Sequence, residues 1–425
     1  MPPTTRIPAE VGRPLHRHTD FRRFWLARQV SVAGTLVTAV ALPVLVYRLS
    51  GSASLTALVT LVEGLPYLLL GLFAGALADR LDRRRVMVAA DVVSALAIGS
   101  VPVAHELGVL TVWHALVAGF LAQASFVFFE GAAFGALPAI VGRSRLGAAN
   151  AAIWGFGSLL DLGMPMLAGV LLAAVHPAML LGVDALSFLA SAAAVVGIAT
   201  RLSAARDLPP LRPRALVDEV ATGLRFLVAH AGVRSQTVVG FLLSLSGAGF
   251  MALSVPYADR LLGVGTSGWR FGAVFAAWGI GGILAATLTP RLHRRVSTSR
   301  ATLLALPLAA AAGLVVATTA SWTVSVVAMV LWGIGYQSVL LTSMTYRQMA
   351  TPEPLLGRVN TAGRMLSFGV GWTVGALGAG ALAALVGTRG AIVGVVSVGV
   401  LAAGFGWLSP LRTLGADPHP EEDPT

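Results

Sequence analysis

Long apolar runs alternate with short polar connections along almost the whole chain. Crossing the hydrocarbon core as a helix takes about 20 apolar residues. Twelve windows meet that need, at 25–47, 54–75, 86–105, 110–132, 149–173, 178–200, 236–258, 269–289, 300–319, 322–343, 359–386 and 389–409. The pattern predicts an all-α membrane protein of twelve transmembrane helices in two six-helix bundles. The bundles are expected over 25–200 and 236–409, after a cytoplasmic segment 1–24. The connection 201–235 is the longest, and Pro209-Pro210 and Arg212-Pro213 break it. Within it, Asp218–Leu227 is amphipathic and is predicted to lie on the cytoplasmic membrane face. The tail 410–425 is polar and proline-broken, which predicts disorder.

Two polar landmarks recur at almost one spacing. Leu77-Ala-Asp79-Arg80-Leu81-Asp82-Arg83-Arg84 is echoed by Leu288-Thr-Pro290-Arg291-Leu292-His293-Arg294-Arg295, 211 residues on. Leu146-Gly147-Ala-Ala-Asn150 is echoed by Leu356-Gly357-Arg358-Val-Asn360, 210 residues on. A shared offset implies a duplicated half, and duplicated hydrophobic halves characterise secondary transporters, whose substrate site lies at the repeat interface.

Charge adds orientation. There is no Lys, and all 30 basic residues are Arg. Only Arg48, Arg260, Arg270 and Arg389 fall in connections on one side; the rest gather in the N-terminal segment, the alternate connections and the tail. An arginine excess marks the cytoplasmic side, so both termini are expected there. The first apolar run is too long for a signal-peptide core and lacks a small-residue cleavage site, so it reads as an uncleaved helix.

Composition excludes several classes. Hydrophobic residues make up 56% and charged residues 12%, with mean hydropathy +0.80; a soluble chain carries about twice that charge. The net charge of +11 punctuates apolar spans instead of forming a stripe, so it reads as topology and not as a nucleic-acid surface. Without Lys, no Walker A loop can form, which argues against ATP as the direct energy source. Cys is absent, excluding disulfides and thiolate metal sites. The eight His show no zinc-ligand spacing beyond the His16/His18 pair, and no catalytic constellation appears.

Ionisable groups inside spans are costly and are functional candidates by default. Glu63, Asp91, Glu130, Asp161 and Asp184 qualify, all in the first half. Glu63 and Asp161 fall mid-span, where a carboxyl can take a proton on one side and release it on the other; these are the expected coupling residues. Asp91 and Glu130 lie near cytoplasmic ends, and Asp184 nearer the outer side looks structural.

Gly75-Ala-Leu77-Ala78-Asp79-Arg80-Leu-Asp82-Arg83-Arg84 resembles the loop signature between helices 2 and 3 of the major facilitator superfamily, with Asp82 where that signature usually has Gly. Phe21-Arg-Arg-Phe-Trp25, Ala41-Leu-Pro43, Leu137-Pro138 followed by Ala149-Asn150, and Asp184-Ala-Leu-Ser-Phe188 resemble the branch of macrolide, multidrug and enterobactin exporters. The resemblance implies a cytoplasmic gate of Asp79, Arg80, Arg83, Asp91 and Glu130. In it, Asp79 would sit against helix 11 and Arg83 would pair with Glu130. A carboxylate suits the positive end of a helix. Gly155-Phe-Gly157-Ser-Leu-Leu-Asp161-Leu-Gly163-Met-Pro165 resembles the helix-5 pattern of antiporters, with Asp161 and Met164 as departures, and favours export.

Trp154, Phe156, Trp278, Trp332, Tyr336, Gln337 and Trp372 are the candidate cargo contacts, because large apolar pockets with few polar groups hold lipophilic molecules and aromatic faces hold cations. Packing explains such residues equally well. Asn150 and Asn360 suit helix capping or gate bonding. The sequence therefore points to a monomeric, multi-pass exporter in a bacterial cytoplasmic membrane. It would move lipophilic or cationic small molecules against a proton gradient, with membrane lipids as surroundings and no bound cofactor. Export of an endogenous natural product or siderophore, and flipping of lysophospholipids, are the alternatives; a membrane enzyme or sensor fits the repeat poorly.

Overall fold

A computed structural model describes residues 15–78, 80–203 and 213–414. Among these residues the chain is helical, with no strand. The first half holds α1 (Thr19–Ser50), α2 (Ala53–Ala78), α3 (Arg83–Glu106), α4 (Val112–Val141), α5 (Leu146–Leu171) and α6 (Pro177–Val196). A connecting helix α7 (Pro213–Ala229) leads to α8 (Ala231–Ala252), α9 (Trp269–His293), α10 (Thr298–Thr318) and α11 (Trp322–Ala350). The last stretch, Leu356–Leu408, is long enough for two passes and is broken at Gly387, whose φ of 74° is left-handed; α12 is the arm before the break and α13 the arm after. Glycine tolerates that backbone where other residues strain. Counting the two arms, twelve helices long and apolar enough to cross a membrane result among the described residues.

Polar residues at the connections set helix starts. The Asp82 carboxylate accepts from the Arg85 N–H at 3.0 Å and caps α3, so the departure from the superfamily signature supplies an N-cap. Thr111 caps α4 and Ser297 caps α10 in the same way. The second repeat landmark behaves alike in both halves: a 3-10 turn (Arg143–Arg145, Glu353–Leu355) runs directly into the helices that start at Leu146 and Leu356.

Two compact units emerge, and their limits differ from the two expected bundles. Among the described residues, the first comprises those within 1–39, 70–164 and 178–211; the second adds 40–69 and 165–177 to those from 213 to 414. The ends of α1 and α5 and most of α2 thus belong with the C-terminal helices. Sequence periodicity shows where spans are, not which packing partner each end selects.

In the first unit, Phe21, Phe24, Met87, Phe129, Ile153 and Ile198 form the core. Asp20 ties the start of α1 to the end of α6 by accepting from the Ala199 and Thr200 N–H groups at 3.0 and 2.7 Å. Asp184 is buried and accepts from Thr38 at 2.6 Å and Ser187 at 3.0 Å, a structural arrangement.

The second unit is built on close helix approaches. A Cβ on Gly281 in α9 would lie 2.4 Å from the Val330 carbonyl oxygen in α11, and one on Gly375 in α12 would lie 2.4 Å from that of Leu245 in α8. Small residues at such crossings let backbones touch in a bilayer, where packing replaces the hydrophobic effect as the driving force.

Part of the apolar face of α7 packs on protein: Leu227 clusters with Val233, Tyr346, Val359 and Ala362. Gly223 sits so close to α12 that a Cβ would lie 2.4 Å from the Arg358 carbonyl oxygen. An amphipathic sequence signals one apolar face without saying what covers it.

Candidate functional site

Within the first unit, α1, α4 and α5 border an open cleft of 340 Å³ lined by Arg28, Glu130, Phe134, Leu137, Asn150 and Trp154. Arg28 is the last charged residue of α1 before a long apolar stretch. Its Nη1 donates to Glu130 Oε1 and its Nη2 to Oε2 at 3.0 Å, the two-pronged match of guanidinium to carboxylate. The same guanidinium lies 5.8 Å from the centre of the Trp154 ring. Trp25 packs edge-on against Phe156, their centroids 4.9 Å apart, and its indole N–H donates to the Ala152 carbonyl at 3.2 Å.

Glu130 is therefore not the partner of Arg83. Arg83 Nη1 donates to the Gly135 and Leu202 carbonyls at 2.9 and 3.1 Å. A Cβ on Gly135 would lie 2.6 Å from the Arg83 Cζ, so the glycine makes room for the guanidinium on α4. Arg28, one helical turn past Trp25, reaches the acid first. In sequence, Arg28 registers only as a topology signal; its place inside the first apolar run is the available clue. A double-mutant cycle with Arg28→Gln and Glu130→Gln, read by thermal unfolding in detergent, is expected to give a coupling of about 1–2 kcal/mol, inside the range for residues in contact.

Of the other gate candidates, Asp91 is 2% exposed and its Oδ2 has no partner among the described residues. Arg80 is exposed, and Asp79 lies outside the described residues.

The coupling candidates sit in different units. Asp161 is exposed on α5, on the face that also carries Trp154 and Ser158, as spacings of three and four residues require. Glu63 is half-buried in α2. Neither side chain makes a hydrogen bond or ion pair among the described residues. Trp372 lies against Gly64, beside Glu63: a Cβ there would come within 2.8 Å of its Cδ1.

The aromatic candidates divide. Trp154 is 65% exposed, and Phe156 is also exposed. Trp332 is 1% exposed and Tyr336 is buried. Trp332 stacks edge-on between Phe250 and Trp278, each at 5.0 Å, and Trp278 also meets Tyr336 at 5.0 Å. These three rings pack the second unit, and only Trp278 is half-exposed. Gln337 is half-buried with its amide unbonded among the described residues.

A polar network that sequence reading misses joins α1 to the turn after α8. Tyr47 Oη donates to Asp259 Oδ2 at 2.8 Å and accepts from Arg260 Nε at 2.8 Å. Arg260 Nη2 donates to the Gly51 carbonyl at 2.6 Å, and Arg48 Nε to Thr266 at 3.1 Å. The Gly268 N–H donates to the Gly169 carbonyl at 2.7 Å. A π-helical turn, Tyr257–Leu261, presents Asp259 and Arg260 together. Two of the four arginines of the arginine-poor side, Arg48 and Arg260, thus join this network.

Known proteins match nearly the whole chain. The family of transmembrane secretion effectors matches residues 13–423. The enterobactin exporter EntS of Escherichia coli O1:K1 is 29% identical over 401 residues, covering 93% of this chain and 90% of that one. EntS of Shigella boydii serotype 4 is 30% identical over 402 residues, with the same coverage. Among solved structures, a bacterial homologue of the human lysosomal transporter Spinster, inward-facing and unoccupied, aligns with a TM-score of 0.73 at 15% identity, over 94% of this chain and 98% of that one. The nucleoside transporter NupG aligns at 0.72 with 11% identity, over 92% of this chain and 98% of that one.

Proposed function

The chain belongs to the transmembrane secretion effector family of the major facilitator superfamily, and from that premise we propose that it is a proton-coupled exporter of a siderophore-type small molecule. The observation that carries this reading is the likeness to enterobactin exporters along 93% of the chain. The protein is a multi-pass transporter of the bacterial inner membrane, not an enzyme. Alternating access between the repeated halves is the mechanism that such folds use.

Coupling is assigned to Glu63 and Asp161. An ionised carboxylate at mid-membrane is costly unless it meets water or a partner, and neither acid has a protein partner among the described residues. A proton from outside neutralises one of them as cargo leaves. The emptied site turns inward, releases the proton, and accepts cargo again. Trp154 and Phe156 supply exposed ring surface for an aromatic or lipophilic cargo. Arg28 already lies over the Trp154 ring, which disfavours a cationic drug at that spot and favours neutral or acidic cargo.

Asp79, Arg80, Arg83 and Asp91 are assigned to the cytoplasmic gate, and the Tyr47–Asp259–Arg260 network to the outer one. Releasing Arg260 frees both Tyr47 and the Gly51 carbonyl. The chain has no Cys, so a single Ser52→Cys can be labelled without background. Arg260→Ala is expected to speed its labelling by a membrane-impermeant maleimide in intact cells several-fold.

The test of function is transport by purified protein in liposomes with an imposed pH gradient and a trapped pH dye. Siderophores, macrolides and cationic dyes would be added singly. Gradient collapse with siderophores alone supports the reading; collapse only with dyes or macrolides replaces it with drug efflux. Movement of lysophospholipid with no proton flux would replace it with a flippase.

A further inference from the structure

The arginine-rich loop is made twice in this chain, but its two copies are held differently. In the first copy, Arg83 is engaged by the Gly135 and Leu202 carbonyls, and Arg84 Nη2 donates to the Thr200 carbonyl at 3.0 Å. The corresponding residues 211 positions on are Arg294 and Arg295. Both are exposed, and neither side chain makes a hydrogen bond or ion pair among the described residues. The side chain of Arg291, the counterpart of Arg80, donates among the described residues only to the Thr287 carbonyl of its own helix, at 2.9 Å.

These three arginines rim a groove of 770 Å³ between the C-terminal end of α9, the first half of α10 and the middle of α11. Its floor is made of small buried residues, Ala305 and Gly335 among them. Thr289 donates to Ser338 at 2.9 Å, so the floor's hydroxyls serve each other. The walls are apolar: Leu288, Leu304 and Leu308 line the groove and are respectively 46%, 57% and 37% exposed. A topology signal needs only the charges; it does not require a trough beneath them.

We propose that this groove binds an anionic phospholipid, with its phosphate held by Arg294 and Arg295 and an acyl chain lying along Leu288, Leu304 and Leu308. Guanidinium groups match phosphate oxygens in a fork. Basic pockets between transmembrane helices on the cytoplasmic side recognise acidic headgroups. Charge complementarity selects the headgroup, and the exposed leucines select a lipid over a free anion. The inference needs the membrane embedding and the cytoplasmic placement of this loop, but not the cargo or the coupling ion.

Delipidated full-length protein in neutral detergent would be titrated with phosphatidylglycerol, phosphatidylcholine or inorganic phosphate, and bound lipid read by native mass spectrometry. Phosphatidylglycerol is expected to bind, whereas phosphatidylcholine and phosphate are not. Arg294→Gln with Arg295→Gln should weaken it about thirtyfold, the factor given by two arginines at about 1 kcal/mol each. Leu308→Trp, which blocks the trough without changing charge, should weaken it too, and Arg300→Gln in the first turn of α10 should not. Thermal unfolding of each variant without lipid shows whether it is folded. Equal binding of the two lipids, equal binding of phosphate alone, or equal loss in Arg300→Gln would each overturn the proposal.

Discussion

At least one of Glu63→Gln and Asp161→Asn is expected to remove uphill export while leaving cargo able to equilibrate. One proton moving through a 100 mV potential carries about 2.3 kcal/mol, enough to hold about a fiftyfold cargo gradient. If the carboxyl that cycles that proton becomes an amide, the gradient should fall to unity. Counterflow, which exchanges labelled for unlabelled cargo with no net driving force, should survive. That split separates a coupling acid from a packing acid, since a packing defect lowers both. If both variants keep the full gradient, the coupling assignment is wrong.

Gly281→Leu is expected to be strongly damaging to the second unit. The nearest atoms to a Cβ there are backbone: the Val330 carbonyl oxygen at 2.4 Å, the Gly333 Cα at 2.8 Å and the Ile334 N at 2.9 Å. No rotamer change relieves such a contact, so α9 and α11 must separate. Forcing extra carbon atoms into packed contacts costs about 1–3 kcal/mol and sometimes more, and this site belongs at or above the upper end. Thermal unfolding should shift down by several degrees, with expression falling. Gly282→Leu, with nothing within 4 Å of its Cβ, should unfold as the parent does.

The fold is plain in the sequence because lipid imposes one requirement on every span: length in apolar residues. Even the split of the last stretch is visible, since Thr388 and Arg389 interrupt the apolar run beside Gly387. The site is less legible. Trp332 and Trp154 look alike in sequence, each next to a glycine in an apolar helix. Yet one is enclosed by Phe250 and Trp278 and the other is open. Which face of a helix meets another helix depends on crossings set by glycines far away in the chain. Arg28 and Arg260 read in sequence as charges that orient the chain; their partners, Glu130 and Tyr47, lie 102 and 213 residues away. No local pattern announces pairings at that range.

The π-helical turn at Met365–Gly371 has a further effect on how α12 is laid out. A π turn holds one residue more than an α-helix has room for, and each residue of an α-helix advances the wheel by about 100°. A helical wheel drawn from Leu356 is therefore out of phase by that angle once it passes Gly371. Arg364 and Trp372 do not stand on the faces that counting between them assigns. Deleting one residue from the turn would restore a regular helix yet rotate the arginine-bearing end by about 100° against the arm that packs on Leu245. For this helix, an insertion or deletion acts as a rotation, and alignments that slide a gap through it move a charge around the axis.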